Sequence, residues 1–230
     1  MSYDFDAYAE SYEVELTRAI SFAGQGPGVF IEAKARSLIA VAEGRLGDLA
    51  KATALDVGCG MGNIHGLLAP RFSKLHAVDV SGGLLDIARS NNGDVAYQLY
   101  DGLELPFESS MFDIAFAICV VHHVPPNRWE RFIAEMARVV RPGGLVAVIE
   151  HNALNPLTRL VTVRCAFDED IALVPRRRLE QLMRGAGMNG TASRYILFSP
   201  WRGAAVNWAE RRLERLPFGA QYITYANASR

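Results

Sequence analysis

Five short apolar runs alternate with stretches of helical periodicity along this 230-residue chain, and that alternation limits the fold more than any single residue does. The runs are residues 54–57, 75–80, 95–100, 114–121 and 145–150. Their near-continuous apolar character suits parallel strands covered by helices on both faces; a strand wetted on one side alternates apolar with polar residues. Ser81 is placed to cap a helix that buries Leu84, Ile87 and Ala88. Residues 127–141 bring Trp129, Phe132, Ile133, Met136 and Val140 onto one stripe, with Pro142, Gly143 and Gly144 as the stop. Another helix follows Pro175, turning Leu179, Leu182, Met183 and Ala186 inward. Residues 195–199 and 221–226 are expected to close the sheet as an antiparallel, hairpin-like edge.

Two parts stand outside the alternation. Residues 1–50 read as a helical segment, with Val29, Phe30, Ala33 and Leu38 at helical spacing, and are expected to cover a ligand site on a core running from 51 to 230. Residues 151–174 form a polar and aromatic insert that falls over the carboxyl ends of the strands, where open α/β sheets bind ligands, so it is expected to act as a substrate lid. The remaining composition is that of a globular chain: 50% hydrophobic and 21% charged residues. A net charge of −1 offers no general attraction to nucleic acid or anionic membrane. The longest apolar run is too short to span a bilayer, and the acidic opening residues do not resemble a signal peptide. Cys59, Cys119 and Cys165 are odd in number and widely spaced, which fits a cytoplasmic protein rather than a disulfide framework, and the five histidines give no metal-site spacing.

Three strand ends carry the candidate chemistry. After the first run come Gly58, Gly60 and Gly62 in G-x-G-x-G spacing, preceded by Asp56; a dinucleotide loop has G-x-G-x-x-G instead. Glycines there let backbone N–H groups approach a ligand at a helix start. Asp79 ends the second run, where a carboxylate can accept both hydrogen bonds of a ribose diol, a role common to NAD and S-adenosylmethionine (SAM) binders. Asp101 and Gly102 follow the third run, where a carboxylate can meet an adenine amino group and a glycine lets the backbone crowd the ring.

With residues 55–63 (LDVGCGMGN), 77–81 (AVDVS), 101–113 (DGLELPFESSMFD), 118–124 (ICVVHHV) and 138–150 (RVVRPGGLVAVIE), the chain resembles the class I SAM-dependent methyltransferases, in the broad bacterial group sometimes called type 11. The likeness spans roughly residues 50–150 and fades beyond. It implies an α/β, Rossmann-like fold with a seven-stranded, mostly parallel sheet, helices on both faces and an antiparallel last strand. It further implies SAM as cofactor, with Gly58 and Gly60 at its methionine part, Asp79 at the ribose, Asp101 and Gly102 at the adenine, and Asp56 bracing the loop. Residues 5–12 (FDAYAESY) resemble the group's opening helix, which implies that Tyr12 covers the methionine end.

Methyl transfer to oxygen needs an aligned acceptor, exclusion of water and a base for one proton. His122 and His123 follow the fourth run, and Glu150 with His151 ends the fifth, so a histidine with a carboxylate partner is the expected base. Strand alternation turns only one of the two histidines to the site, either one. Cys59 reads as a tolerated small loop residue and Cys119 as a core residue of the strand. His65 and His76 read as partnerless, on a helix face and near a strand start. The Arg176, Arg177, Arg178 cluster, and Arg202, Arg211, Arg212 and Arg215, read as solvated helix faces, with anion recognition on the acceptor as the rival reading. In the insert, Asn152, Asn155, Arg159, Arg164, Asp168, Glu169 and Asp170 offer polar contacts, and Phe167 with Trp201 an apolar wall. The expected function is a SAM-dependent methyltransferase acting on a small polar acceptor, foremost at a hydroxyl, with no nucleic-acid partner and no membrane span. The alternatives are a SAM-binding regulatory or structural subunit without methyl transfer, and a nicotinamide-dependent oxidoreductase. Oligomeric state is not legible.

Overall fold

In the computed structural model, which describes residues 26–164, 171–199, 201 and 203–229, the apolar runs inside the sheet become strands whose successive side chains enter opposite cores, whereas the run at 95–100 becomes a part-exposed edge strand. The strands are β1 (Thr53–Val57), β2 (Lys74–Asp79), β3 (Ala96–Leu99), β4 (Phe112–Ile118), β5 (Val140–His151), β6 (Asn189–Ile196) and β7 (Gln221–Asn227). The helices are α1 (Pro27–Leu46), α2 (His65–Leu68), α3 (Gly82–Asn91), α4 (Trp129–Val139), α5 (Pro156–Arg164), α6 (Arg176–Gly185) and α7 (Ala204–Leu213). One face of the sheet gives Leu55, Val57, Ala115, Ala117, Val146 and Val148 to a core shared with Phe132, Ile133 and Met136 of α4 and Leu179 and Met183 of α6. The opposite face gives Ala54, Ile114, Phe116, Leu145, Ala147 and Ile149 to a core shared with Ala35, Leu38 and Ala42 of α1. Burial on both faces is what the unbroken apolar runs require.

The sheet order is β3-β2-β1-β4-β5-β7-β6. β7 is antiparallel to both β5 and β6, and the other neighbouring pairs are parallel. The expected seven-stranded, mostly parallel architecture with an antiparallel last strand is present. β6 and β7 are not a simple hairpin, however: α7 lies between them in the chain, and β7 inserts between β5 and the outer strand β6. β6 also begins earlier than residue 195, because its polar stretch NGTASR is tolerable on an edge strand with one partner.

Strand order reverses between β1 and β4, which opens a crevice at the carboxyl ends of these strands. Ser81 caps α3 as expected, its hydroxyl accepting from the Leu84 amide at 3.1 Å, although Leu85 rather than Ile87 is the third buried residue there. α4 ends at Val139, and β5 starts at Val140 instead of after the glycines. Val140 pairs with Phe112, and the register then shifts before Leu145 pairs with Ile114. Gly143, at φ 80°, and Gly144, where a Cβ would lie 2.7 Å from the Asp113 carbonyl, make this irregularity sterically possible. No helix among the described residues is long and apolar enough to cross a membrane.

Candidate active site

The turns leaving β1, β2 and β3 meet around Asp79. Its carboxylate accepts from the Gly60 amide at 2.7 Å and from the Ser81 amide at 3.0 Å, tying the glycine loop to the start of α3. Burial raises the Asp79 carboxyl above its ordinary range, against the lowering effect of those amides. Gly58, Gly60 and Gly62 have φ of 81°, 53° and 67°. A Cβ on Gly58 would lie 2.6 Å from the Val120 side chain, whereas the space beside Gly60 is open. Gly102, at φ 76°, packs against Val80, which is 46% exposed. Asp101 is fully solvent-facing; its Oδ1 accepts from the amides of Leu103 and Glu104 and holds the turn, and the Glu104 bond leads in keeping its carboxyl low. Gly58, Gly60, Asp79 and Gly102 are thus brought together, while Asp101 stands at the rim. Tyr8 and Tyr12 lie outside the described residues.

Asp56 is 2% exposed and pairs through Oδ2 with His65 Nε2 at 2.9 Å, and His65 Nδ1 meets the Tyr97 hydroxyl at 2.7 Å. The expectation that Asp56 braces the loop agrees with this chain. His65, the first residue of α2, is corrected in one respect: it is fully buried and has a partner at each ring nitrogen. His76 packs edge-on against Phe107 and Phe112. Asp56 Oδ1 remains buried with no hydrogen-bond partner, a polar atom facing the loop that only a further donor can satisfy.

The second half of the site follows β4 and β5. Residues 121–123 form a 3-10 turn, not strand, so the alternation expected to separate His122 from His123 does not operate there. Glu150 and Trp129 hold that turn. Glu150 Oε1 accepts from the amides of Val120 (3.1 Å) and Val121 (2.7 Å), and the Trp129 indole donates to the carbonyls of Val121 and Val124. Glu150 Oε2 lies 2.6 Å from His122 Nδ1. Burial acts to raise the Glu150 carboxyl, but His122, His151 and the Val121 amide outweigh it and hold it at about 2. An ionised carboxylate only accepts, so His122 carries its proton on Nδ1. His122 is 2% exposed and Glu150 fully buried; His123 is partly exposed, its ring 4.2 Å from that of His122, with His151 at 5.0 Å from His122 on the other side. Glu150 stands beside His122 as the carboxylate partner the sequence suggests, and it is fully buried and also holds the turn.

Cys119 is also corrected. It lies past the end of β4 at φ 59°, partly exposed, with its Sγ 3.5 Å from Lys34 Nζ and 3.2 Å from Gln221 Nε2. Neither Lys34 nor Gln221 was legible as a site residue, because each reaches this point only through the packing of α1 and the insertion of β7. In the insert, Asn152 bonds the carbonyls of Pro217 and Gly219, and Asn155 caps α5 through the amides of Leu157 and Thr158, so both are spent on structure. The Ala172 amide bonds the His122 carbonyl at 3.3 Å, which brings the end of the insert over the histidine turn. Phe167, Asp168, Glu169 and Asp170 lie outside the described residues. Arg176 and Arg178 pair with Glu180 and Glu130, which favours the reading of solvated helix faces. A concavity of about 420 Å³ lined by Glu32, Arg36, Leu67 and Arg71 sits between α1 and α2, away from the strand ends.

Residues 55–148 match the family model described as a methyltransferase domain. A bifunctional biotin biosynthesis protein of Cellvibrio japonicus is 32% identical over 159 residues, covering 64% of this chain and 30% of that protein. A tRNA (carboxymethyluridine(34)-5-O)-methyltransferase of Arabidopsis thaliana is 33% identical over 123 residues, 53% of this chain and 26% of that one. The matched segments thus span about a third or less of these relatives' length. Among solved structures, a SAM-dependent methyltransferase of Thermotoga maritima, described as a possible histamine N-methyltransferase, superposes with a TM-score of 0.72 over 98% of both chains at 19% identity, a likeness of fold. Sheet order and glycine loop agree with the matched domain: residues 55–148 are similar to the methyltransferase-domain family and lie on a sheet of the SAM-dependent methyltransferase fold.

Proposed function

We propose that this chain transfers a methyl group from SAM to a hydroxyl of a small polar acceptor. The observation that carries the reading is the His122–Glu150 pair on the turn after β4, in direct reach of the glycine loop through Gly58 and Val120. The cofactor side suits SAM on its own chemistry: Gly60 opens onto free space, Asp56 Oδ1 lacks a donor, and Asp79 keeps a carboxylate in a dry position that ribose hydroxyls would stabilise. Gly58 and Gly60 would adjoin the methionine part, Asp79 the ribose, and Gly102 with Val80 the adenine face, Asp101 reaching its edge from the rim. Tyr12, in the 1–50 segment, would cover the methionine end.

SAM supplies a methyl already activated on a sulfonium, so the chain's own work is alignment, exclusion of water and removal of one proton. His123, partly exposed, takes that proton, because His122 is enclosed. His122 and Glu150 act behind it as positioning residues: Glu150 fixes the turn, and the stacked His122 ring fixes His123. Residues 151–174 act as the lid, with the Ala172–His122 bond as its anchor. The small net charge supports a small molecule over a nucleic acid, and the free thiols support a cytoplasmic setting.

Isothermal titration with SAM, followed by incubation with pools of hydroxylated metabolites, tests this. Expected are binding, a mass gain of one methyl on an acceptor and stoichiometric S-adenosylhomocysteine. Binding of a nicotinamide cofactor instead of SAM overturns the reading, and methylation confined to amines or to tRNA overturns the hydroxyl and small-molecule parts of it.

A further inference from the structure

We propose that Cys119 is a reactive thiolate, ion-paired with Lys34 and set beside the Gln221 amide, and that it is a modification site for small hydroperoxides. Lys34 reaches it from α1 and Gln221 from β7. Among the described residues, the Lys34 ammonium makes no ion pair with a carboxylate, so the sulfur is its counter-charge. The groups facing Sγ are Lys34, His151 and Glu150. Burial works to raise the thiol, but Lys34 and His151 outweigh it and the opposing Glu150, pulling it down to about 7. The residue is partly exposed and lies just past the end of β4 at a φ of 59°.

A second observation points to the ligand. Gln221 is 95% buried by its 5% exposure, its Nε2 is committed to Cys119 and lies 3.4 Å from His151 Nδ1, and its Oε1 has no hydrogen-bond partner. A small molecule that donates O–H to that oxygen would stand beside the nucleophile. A hydroperoxide donates O–H and carries an electrophilic oxygen. The thiolate pair attacks that oxygen, an S–O bond forms and the O–O bond breaks. Hydroxide, or the alkoxide of an organic hydroperoxide, leaves and takes a proton from solvent, and the sulfur is left as a sulfenic acid; sulfur loses two electrons and the peroxide gains them. Cys59 is the internal control, since burial with Asp56 and Asp79 pushes its thiol far up.

The test is alkylation of the full chain by iodoacetamide between pH 5.5 and 9.5, read by peptide mass at each cysteine, then treatment with hydrogen peroxide and trapping by dimedone. A thiol near 7 carries more thiolate than an ordinary one but is a weaker nucleophile, so the net rate gain is only roughly three- to sixfold between pH 7 and 6. The midpoint of the pH profile is therefore the sharper readout. Expected are a Cys119 midpoint near 7, no matching reaction at Cys59, a rise of about one unit or more in Lys34→Met, and a midpoint retained in Lys34→Arg. Gln221→Leu is expected to slow peroxide more than iodoacetamide, and serves if Lys34→Met does not fold. A Cys119 midpoint at the value of free cysteine, the same midpoint in Lys34→Met, equal slowing of both reagents in Gln221→Leu, or no dimedone adduct at Cys119 overturns the proposal. None of these readouts depends on methyl transfer.

Discussion

The two halves of the crevice are built in opposite ways. The half after β1, β2 and β3 is made of backbone and carboxylates: positive-φ glycines, amides tied to Asp79, and the Asp56–His65–Tyr97 chain. The half after β4, β5 and β7 is made of side chains drawn from distant segments: Lys34, Cys119, His122, His123, Glu150 and Gln221. The two cysteines report the difference as a field. Cys59, among Asp56 and Asp79, has its thiol pushed up; Cys119, near Lys34 and His151, has its thiol pulled down to about 7. A carboxylate-rich wall suits a cofactor that is cationic at sulfur, and a wall with imidazoles and a lysine suits an acceptor that must lose a proton.

That division can be broken by substitutions that ought to affect one half only. His123→Ala is expected to lower kcat by about 10²–10⁴, the usual contribution of a general base, while SAM affinity measured calorimetrically stays within about twofold. An unchanged kcat would move the proton to another group. Asp79→Ala is expected to weaken SAM binding by about 10²-fold or more, from two charge-assisted bonds at about 1.5–3 kcal/mol each. If Asp79→Ala left the titration unchanged, the cofactor would not lie on this half.

How much the sequence disclosed follows the same line. The glycine loop, Asp79 and Gly102 sit within a few residues of their own strands, so local spacing is enough to place them at the strand ends. Asp101 was found too, but its role in holding a turn was not, since the amides of Leu103 and Glu104 become partners only in three dimensions. Lys34 and Gln221 stand 85 and 102 residues from Cys119 and carry no motif; the packing of α1 and the insertion of β7 place them. His122 and His123 are legible as residues but not in their geometry, because a run of apolar character through residue 121 conceals where strand gives way to a 3-10 turn. The indole of Trp129 was counted as core, and its N–H proves to hold that turn.

Gly58 joins the halves, and its substitution sharpens the comparison. Gly58→Ala places a Cβ at φ 81° and within 2.7 Å of both Val120 methyls. The left-handed conformation costs about 1 kcal/mol or more for alanine and the overlap about 1–2, so a loss of roughly 2–3 kcal/mol is expected, lowering Tm by about 5–10 °C. Val120→Ala in the same chain removes the overlap but not the backbone strain. The double variant should therefore regain about 1–2 kcal/mol relative to the additive sum. Simple additivity would mean that the loop and the histidine turn move independently.

The smallest effect, and the one that reads the two fields most directly, is the acid dependence of stability. Glu150, held at about 2 against about 4.3 when unfolded, contributes stability that is present above the unfolded value and lost as pH falls toward 2. Asp79, raised by burial, has the opposite sign: its contribution is full below its unfolded value and is lost as pH rises through the folded one. Urea unfolding between pH 3 and 7 should show Glu150→Gln flattening the acid limb by roughly 1.5 kcal/mol between pH 5 and 3, and Asp79→Asn steepening it. Asp113 and Glu135, also held low, remain as a shared background in all three chains, so the slope rather than the offset carries the result. Parallel acid limbs in the two variants would mean that the halves do not differ in field, and the contrast between Cys59 and Cys119 would then need another cause.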